Sequence, residues 1–362
     1  MGREDPVFPN YDESILAIPN SILKACGVEA FHKTLPLLDE ALKRHSKIVL
    51  VIFDGLGSAV LENLAPHSYL SKNKKRDLTS VYPSTTTAAL TSLYSGLSPI
   101  EHGWLGWTCW FKEVNQSVDL FPNTIYGTKN QASTEHLGSK FMPYKLVTDL
   151  VPGSVLISPF AKVKASESAE MLGVAERFLN REESRLAICY NTNPDETMHK
   201  KGCYHPTVSE IVRRFSMEVE QFAARVKDAL IIVTADHGHK NVTGCVIDDY
   251  PEIMECLYRP YTLESRAASL FVKPEFMPVF EERWKLVFGD AFLLLTRQEV
   301  LERNLFGEGK PHEKGLEFIG DYIACALSEL TLDRRIEVHN FASAHAGLTK
   351  EEMLVPLVMI ET

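Results

Sequence analysis

Residues 47–55 read Lys-Ile-Val-Leu-Val-Ile-Phe-Asp-Gly. A continuous apolar run rich in β-branched side chains, ended by Asp-Gly, predicts a strand buried on both faces of a parallel sheet, because a half-exposed strand would alternate apolar with polar residues. In open parallel sheets the ligand crevice lies just past the carboxyl ends of the strands. Asp54 therefore stands either where a functional carboxylate belongs or where it caps the next helix.

The same pattern recurs outward from this strand. Residues 154–158, 185–190 and 229–234 are further strand-like runs, with helical spacing over 166–180 and 207–227 between them. A short run at 78–82 and a last one at 353–360 complete the set, and helical spacing also marks 20–27 and 35–45. The alternation predicts an α/β fold, a doubly wound, mostly parallel central sheet with helices on both faces. From 250 to 337 the rhythm changes. One strand-like run at 265–272 is followed by mostly helical sequence over 278–333, broken by Gly-Glu-Gly-Lys-Pro at 307–311. The expectation is a single domain over 1–362 with an inserted cap subdomain at 275–335. Trp104, Trp107 and Trp110 open an irregular stretch to about residue 142, which either walls a substrate pocket or packs as a flap on its own aromatics.

With 362 residues, 45% of them apolar, the chain can bury a large core, and its net charge is -10. That acid excess excludes a nucleic-acid polymer surface, which needs clustered Lys and Arg. It also means that a phosphate ester would need metal ions to supply positive charge. Residues 1–20 carry Glu4, Asp5, Asp12 and Glu13 and no signal-peptide core, and no stretch approaches a membrane span, so the expectation is a cytoplasmic protein without a membrane partner. The seven cysteines are scattered without a CxxC pair, which argues against a disulfide framework. Cys203 alone stands out, placed between His199 and His205.

Past the run at 78–82, residues 82–90 read Tyr-Pro-Ser-Thr-Thr-Thr-Ala-Ala-Leu. A proline that stops a strand is followed by hydroxyl residues and a small-residue helix to Gly96. The hydroxyls thus sit at a helix N-terminus, where unpaired N–H groups and the dipole favour an anion; a plain N-cap is the competing reading. Metal-ligand side chains recur at corresponding places: Asp54, Thr86, Asp195 with His199, Asp236 with His237, and His345. Each alone is ordinary, but parallel strands bring their carboxyl ends to one edge. Three His and three Asp divide into two sets of three, the protein-ligand number of a catalytic zinc site that keeps a position open. Two such ions about 4 Å apart hold the attacking and departing oxygens of a phosphoryl displacement, and a hydroxyl bound to one of them becomes a nucleophile near neutral pH. Thr86 is the candidate hydroxyl.

These motifs resemble the alkaline phosphatase superfamily, most closely its nucleotide pyrophosphatase/phosphodiesterase branch. Pro194-Asp195-x-x-x-His199-x-x-Gly202 is similar to the family's Pro-Asp-x-x-Gly-His-x-x-Gly, with Met198 where glycine is usual. Asp236-His237-Gly238 matches its Asp-His-Gly, and His345 its late histidine, followed by Ala346 rather than glycine. Pro83 and Gly96 select Thr86 over Thr85 and Thr87 as the nucleophile, and residues 98–103 resemble the segment after the nucleophile helix. The resemblance covers roughly 47 to 360 and leaves 275–335 without a motif. It implies an alkaline-phosphatase-like fold, with Asp195, His199 and His345 on one metal and Asp54, Asp236 and His237 on the other, Thr86 bridging toward phosphorus. The cofactors implied are two divalent ions, zinc first and manganese as the alternative; the partner is a small phosphate-ester substrate, a nucleotide among the candidates. The reaction implied is hydrolysis of a phosphodiester or pyrophosphate-type bond through a covalent phosphothreonine.

One departure bears on substrate: the family commonly has a phosphate-binding asparagine three residues after the nucleophile, where this chain has Ala89. The same site also suits a phosphomonoesterase or phosphonate hydrolase, and Ala89 and Met198 leave open a degenerate metal-binding scaffold. A sulfatase is disfavoured by the absence of Cys-x-Pro-x-Arg. His239 and His205 lie near the ligands as supporting partners, with at least one of them expected to be an exposed bystander.

Overall fold

The computed structural model describes residues 2–362. Six strands form the central sheet in the order Lys74–Thr79, Leu354–Glu361, Ala229–Thr234, Lys47–Phe53, Leu186–Asn191, Ser154–Ile157. The Lys47–Phe53 strand lies inside it, parallel to both neighbours, with Ile48 opposite Leu186 on one side and Leu230 on the other. Ile48 to Phe53 are buried throughout, which is why the run carries no polar alternation. Leu354–Glu361 is the strand that runs against its neighbours, pairing antiparallel with both Ala229–Thr234 and Lys74–Thr79.

Two groups of helices cover the sheet. Ser168–Leu179, Pro206–Arg225, Ser58–Leu64 and Tyr69–Asn73 pack together, while Ala17–Ala25, Pro36–Leu42 and Thr86–Ser95 form the other group. Pro206–Arg225 buries Val208, Val212, Phe215, Val219 and Phe222 along one stripe, as the 3.6-residue period requires. Phe215 stacks on Phe53 with ring centroids 4.0 Å apart, which docks that helix beneath the strand bearing Asp54. Among the described residues no helix is long and apolar enough to cross a membrane, and all seven cysteines are free.

A second, antiparallel sheet has seven strands in the order Phe292–Thr296, Tyr322–Ala326, Ala267–Leu270, Thr262–Leu263, Thr108–Phe111, Gln116–Asp119, Thr124–Ile125. Three sequence expectations change here. The stretch after Trp104 contains a β-hairpin. The segment 278–333 is not mostly helical, because its three helices, Met277–Phe288, Arg297–Glu302 and Glu313–Phe318, are interleaved with strands at 292–296, 322–326 and 330–333 and with connecting loops. Its Leu- and Ala-rich runs have helical propensity, but burial between neighbouring strands overrides it. The strand expected at 78–82 is Lys74–Thr79, whose Lys74, Lys75, Arg76 and Asp77 suit a sheet edge and hide the apolar signal.

The two sheets meet at a fully buried ion pair. Arg266 donates to both carboxylate oxygens of Glu352, at 2.6 and 2.7 Å, and to the carbonyls of Leu330 and Ser328. Glu352 also accepts from Gly347 N at 2.8 Å and Thr349 Oγ1 at 2.6 Å. Burial pushes the Glu352 carboxyl up, but the Arg266 guanidinium and these donors outweigh it and hold the group below its ordinary value.

Candidate active site

Four strand ends of the central sheet converge on one edge. Asp54 follows Lys47–Phe53, Asp195 opens the helix after Leu186–Asn191, Asp236 and His237 follow Ala229–Thr234, and the Lys74–Thr79 strand leads to Thr86 at the start of its helix. His345 arrives from the short Ser343–Ala344 strand, held by Lys240–Asn241 just past His237.

The side chains fall into two groups, Asp54, Asp236 and His237 in one, Asp195, His199, His239 and His345 in the other, with the ligand atoms of each group within 4.8 Å of one another. In the first, His237 Nε2 is 3.3 Å from Asp54 Oδ1 and 3.6 Å from Asp236 Oδ2. In the second, Asp195 Oδ1 is 3.4 Å from His199 Nε2 and 3.7 Å from His345 Nε2. The His237 and His345 rings stack at 3.9 Å, so the groups adjoin.

The fit to metal ions can be read from the hydrogen bonds. Asp236 Oδ1 accepts from the backbone N–H of Gly55 and His237, and Asp54 Oδ2 from the Tyr190 hydroxyl. Their other oxygens, Asp54 Oδ1 and Asp236 Oδ2, are buried without a hydrogen-bond partner, a costly state unless a cation meets them. His199, His237 and His345 each face a backbone carbonyl with Nδ1, of Ser343, Gly238 and Ser84 at 2.8, 3.0 and 3.2 Å. Those bonds fix the Nδ1–H tautomer and turn the Nε2 lone pairs inward, as ligating histidines require. Burial and the neighbouring carboxylates push Asp54 well up, and burial together with the surrounding histidines keeps His345 well below its ordinary value. Neutral imidazole is the ligating form.

Close packing holds the groups at this spacing. Gly55 has φ +71°, and a Cβ there would lie 3.0 Å from Asp195 Cβ, His239 Cδ2 and Met198 Cε. Met198, noted above for replacing a glycine, is buried core. Ala346, the other such departure, has φ +89°, a left-handed conformation that favours glycine and strains alanine, directly after His345.

The three adjacent threonines part ways. Thr85 and Thr87 are buried; Thr86 is the first residue of its helix, and its Oγ1 lies 3.2 Å from His237 Nε2. Ala89 is fully buried in the core and lines neither cavity of the site. A side chain at 89 therefore does not face phosphate, and the asparagine expected there from the resemblance would have no such role in this chain.

Three partners stand outside the motifs; His239 is the one expected above as a supporting residue, while Tyr190 and Glu264 are not. His239, fully buried, puts Nε2 2.5 Å from Asp195 Oδ1 and Nδ1 3.1 Å from Ser343 Oγ; its spacing two residues after His237 is the one hint. Tyr190 holds Asp54. Glu264 accepts from Thr85 Oγ1 at 2.6 Å and Trp107 N at 2.7 Å, following Leu263 at φ +72°. Burial pushes its carboxyl up to about 7. His205, by contrast, is exposed and caps Pro206–Arg225 through Nδ1. Cys203 is buried, its thiol pushed up to about 12 by burial, and belongs to neither ligand group.

Two cavities open on these groups. The larger, about 700 Å³, has aromatic and apolar walls, including Tyr94, Phe121, Tyr144 and Phe160. The smaller, about 280 Å³, carries Asp119, Glu264 and Glu337. Thr86, Asp195 and Trp107 line both. The wall facing the central sheet comes from 107–126 and 261–265 rather than from 275–335.

A family model described as type I phosphodiesterase / nucleotide pyrophosphatase matches residues 48–278. Murine ectonucleotide pyrophosphatase/phosphodiesterase 5 superimposes with a TM-score of 0.65 at 17% identity, over 87% of this chain and 88% of its own. Its inactive variant in complex with AMP gives 0.64 at 17% identity, over 86% and 87%. Phosphonoacetate hydrolase from Sinorhizobium meliloti 1021, in complex with phosphonoacetate, gives 0.65 at 16% identity, over 87% and 90%. No curated protein sequence matches the chain.

Proposed function

The chain belongs to the type I phosphodiesterase/nucleotide pyrophosphatase family of two-metal phosphoric ester hydrolases, and on that premise we propose that it cleaves phosphodiester or pyrophosphate-type bonds with Thr86 as nucleophile. Asp195, His199 and His345 would hold one divalent ion and Asp54, Asp236 and His237 the other, zinc foremost for this His and Asp donor set and manganese as the alternative. Such ions, when bound, supply the positive charge that lowers the pKa of an adjacent hydroxyl and neutralises phosphate oxygens.

The chain's own residues do the rest. The first turn of Thr86–Ser95 has N–H groups without intrahelical acceptors, which orient a phosphate oxygen beside Thr86 Oγ1. Oγ1 attacks phosphorus and the bond to one ester oxygen breaks, releasing an alcohol or phosphate. Water then cleaves the phosphothreonine and restores Thr86.

The observation that carries the diester reading is the meeting of two cavities at Thr86 and Asp195, one for each arm flanking the phosphorus. The larger has the aromatic walls that stack on a nucleobase. A carboxylated phosphonate would find no Lys or Arg among the side chains lining either cavity, and a monoester would leave one cavity to water. The test is turnover of bis-p-nitrophenyl phosphate against p-nitrophenyl phosphate with zinc or manganese supplied, alongside a metal analysis. A preference for the diester, and a Thr86→Ala variant that keeps both metals while losing hydrolysis by about a thousandfold or more, are expected. A strong monoester preference would sink the reading, and a metal-loaded protein that hydrolyses no phosphate ester would leave only a binding scaffold.

A further inference from the structure

Resting on the assignment of Thr86 as nucleophile and His345 as a ligand, we infer that Ser84 is a positioning residue that fixes this ligand against the nucleophile. Ser84 is fully buried and reaches the His345 loop through both of its polar groups. Its carbonyl faces His345 Nδ1 at 3.2 Å, and its hydroxyl donates to the carbonyl of Gly347 at 3.1 Å. The residues on either side of Ala346 are thus held by one serine, two positions before Thr86.

A serine just before a helix ordinarily caps it. Here that duty is given up. Thr85 occupies the N-cap position of Thr86–Ser95 without a side-chain cap bond, its hydroxyl going to Glu264, while the Ser84 hydroxyl crosses to a residue 263 positions further along the chain. Both hydroxyls that precede the nucleophile therefore tie it across the site, at two different places.

The loop that Ser84 reaches needs holding. Ala346 is fully buried with φ +89°, a conformation that an alanine keeps only where its surroundings over-determine it. Gly347 supplies that restraint from both sides, its N–H donating to Glu352 Oε1 at 2.8 Å and its carbonyl accepting from Ser84. A Cβ at 347 would lie 2.6 Å from Glu352 Oε2, so the loop has no slack toward the Arg266–Glu352 pair. The Ser84 bond closes the other side. Without it the strained turn can relax and swing the His345 ring, whose Nδ1 bond to the Ser84 carbonyl aims Nε2 at its place 3.7 Å from Asp195 Oδ1.

The test uses the full chain as Ser84→Ala, as Ala346→Gly and as the double variant. Ser84→Ala is expected to weaken one of two zinc equivalents about tenfold in competition with a chromophoric chelator, leaving the other unchanged. It should also lower kcat on bis-p-nitrophenyl phosphate more than it raises KM. Glycine takes the φ of position 346 without strain, so adding Ala346→Gly to Ser84→Ala should return most of the lost affinity. A change that only loosened the core would weaken both equivalents alike. Hydrogen exchange of the metal-free protein gives a readout independent of ions. Residues 345–348 should exchange about tenfold faster in Ser84→Ala, while the Lys47–Phe53 strand does not. Unchanged affinity with unchanged exchange, equal weakening of both equivalents, or a double variant no better than Ser84→Ala overturns the role given to Ser84. If the unaltered protein binds no zinc or turns over no diester, the ligand and nucleophile assignments fail instead. The exchange of 345–348 then decides by itself whether Ser84 holds the loop.

Discussion

Glu264 Oε1 lies 2.6 Å from Thr85 Oγ1, so a carboxylate of the second sheet grips the residue immediately before the proposed nucleophile. The same oxygen accepts from the N–H of Trp107, whose side chain borders both cavities. One side chain thereby sets the nucleophile's helix start against the opposing wall of the site.

Removing that grip affects turnover more than binding. Glu264→Ala leaves the Thr85 hydroxyl and the Trp107 N–H without their acceptor and is expected to lower kcat about tenfold to a hundredfold on a neutral diester, with KM changed less. Glu264→Gln keeps an acceptor oxygen and restores most of the rate. Steady-state kinetics on both variants checks this, and a Gln variant as slow as Ala would show that the carboxylate does more than position.

The same residue makes stability depend on pH in the metal-free protein. Burial raises the Glu264 carboxyl from 4.5 to about 7, with the Thr85 and Trp107 donors opposing the shift. Between those values the folded state binds the proton more readily than the unfolded chain. The contribution is therefore complete below 4.5 and is lost as the pH rises through about 7. Urea midpoints measured across that interval should fall less steeply in Glu264→Gln than in the unaltered chain, and parallel slopes would refute the assignment.

His239 is expected to support the second ligand group without being interchangeable with it. Its Nε2 holds Asp195 Oδ1 at 2.5 Å and its Nδ1 reaches Ser343. His239→Asn should weaken one metal equivalent about tenfold to a hundredfold, read by competition with a chromophoric chelator, while the other equivalent is little changed.

The Arg266–Glu352 pair gives a stability prediction of the opposite kind. Both side chains are fully buried. Glu352→Gln alone strands the guanidinium and is expected to cost about 3 to 5 kcal/mol, whereas Arg266→Met combined with Glu352→Leu costs less than the single change. Denaturant unfolding of the two proteins decides it.

Much of the central architecture was legible because the Lys47–Phe53 and Ala229–Thr234 strands are buried on both faces and so advertise themselves as apolar runs. The proposed ligands stand out in the sequence because each directly follows such a run or belongs to a fixed motif. The second sheet was not legible, since Thr262–Leu263 and Thr124–Ile125 are two residues long and acquire strand character only by pairing with distant segments. Glu264 has no motif at all; its place comes from a tertiary bond after a left-handed Leu263. The burial of Ala89 has no signal in the sequence, because it comes from the way the helix turns that position into the core. Ala346 was rightly singled out as unusual, and its φ of +89° supplies the physical reason that glycine suits the position.

The antiparallel Leu354–Glu361 strand has a consequence for the order in which the molecule is made. It lies between Lys74–Thr79, which leads to Thr86, and Ala229–Thr234, which leads to His237. Until this stretch has left the ribosome, the two strands have no sheet connection to each other, and their pairing closes loops of very long sequence separation. A nascent chain of the first 350 or so residues would hold every proposed ligand and yet lack the strand that sets the nucleophile beside them. Activity would then switch on only once Leu354–Glu361 has emerged and paired with both strands.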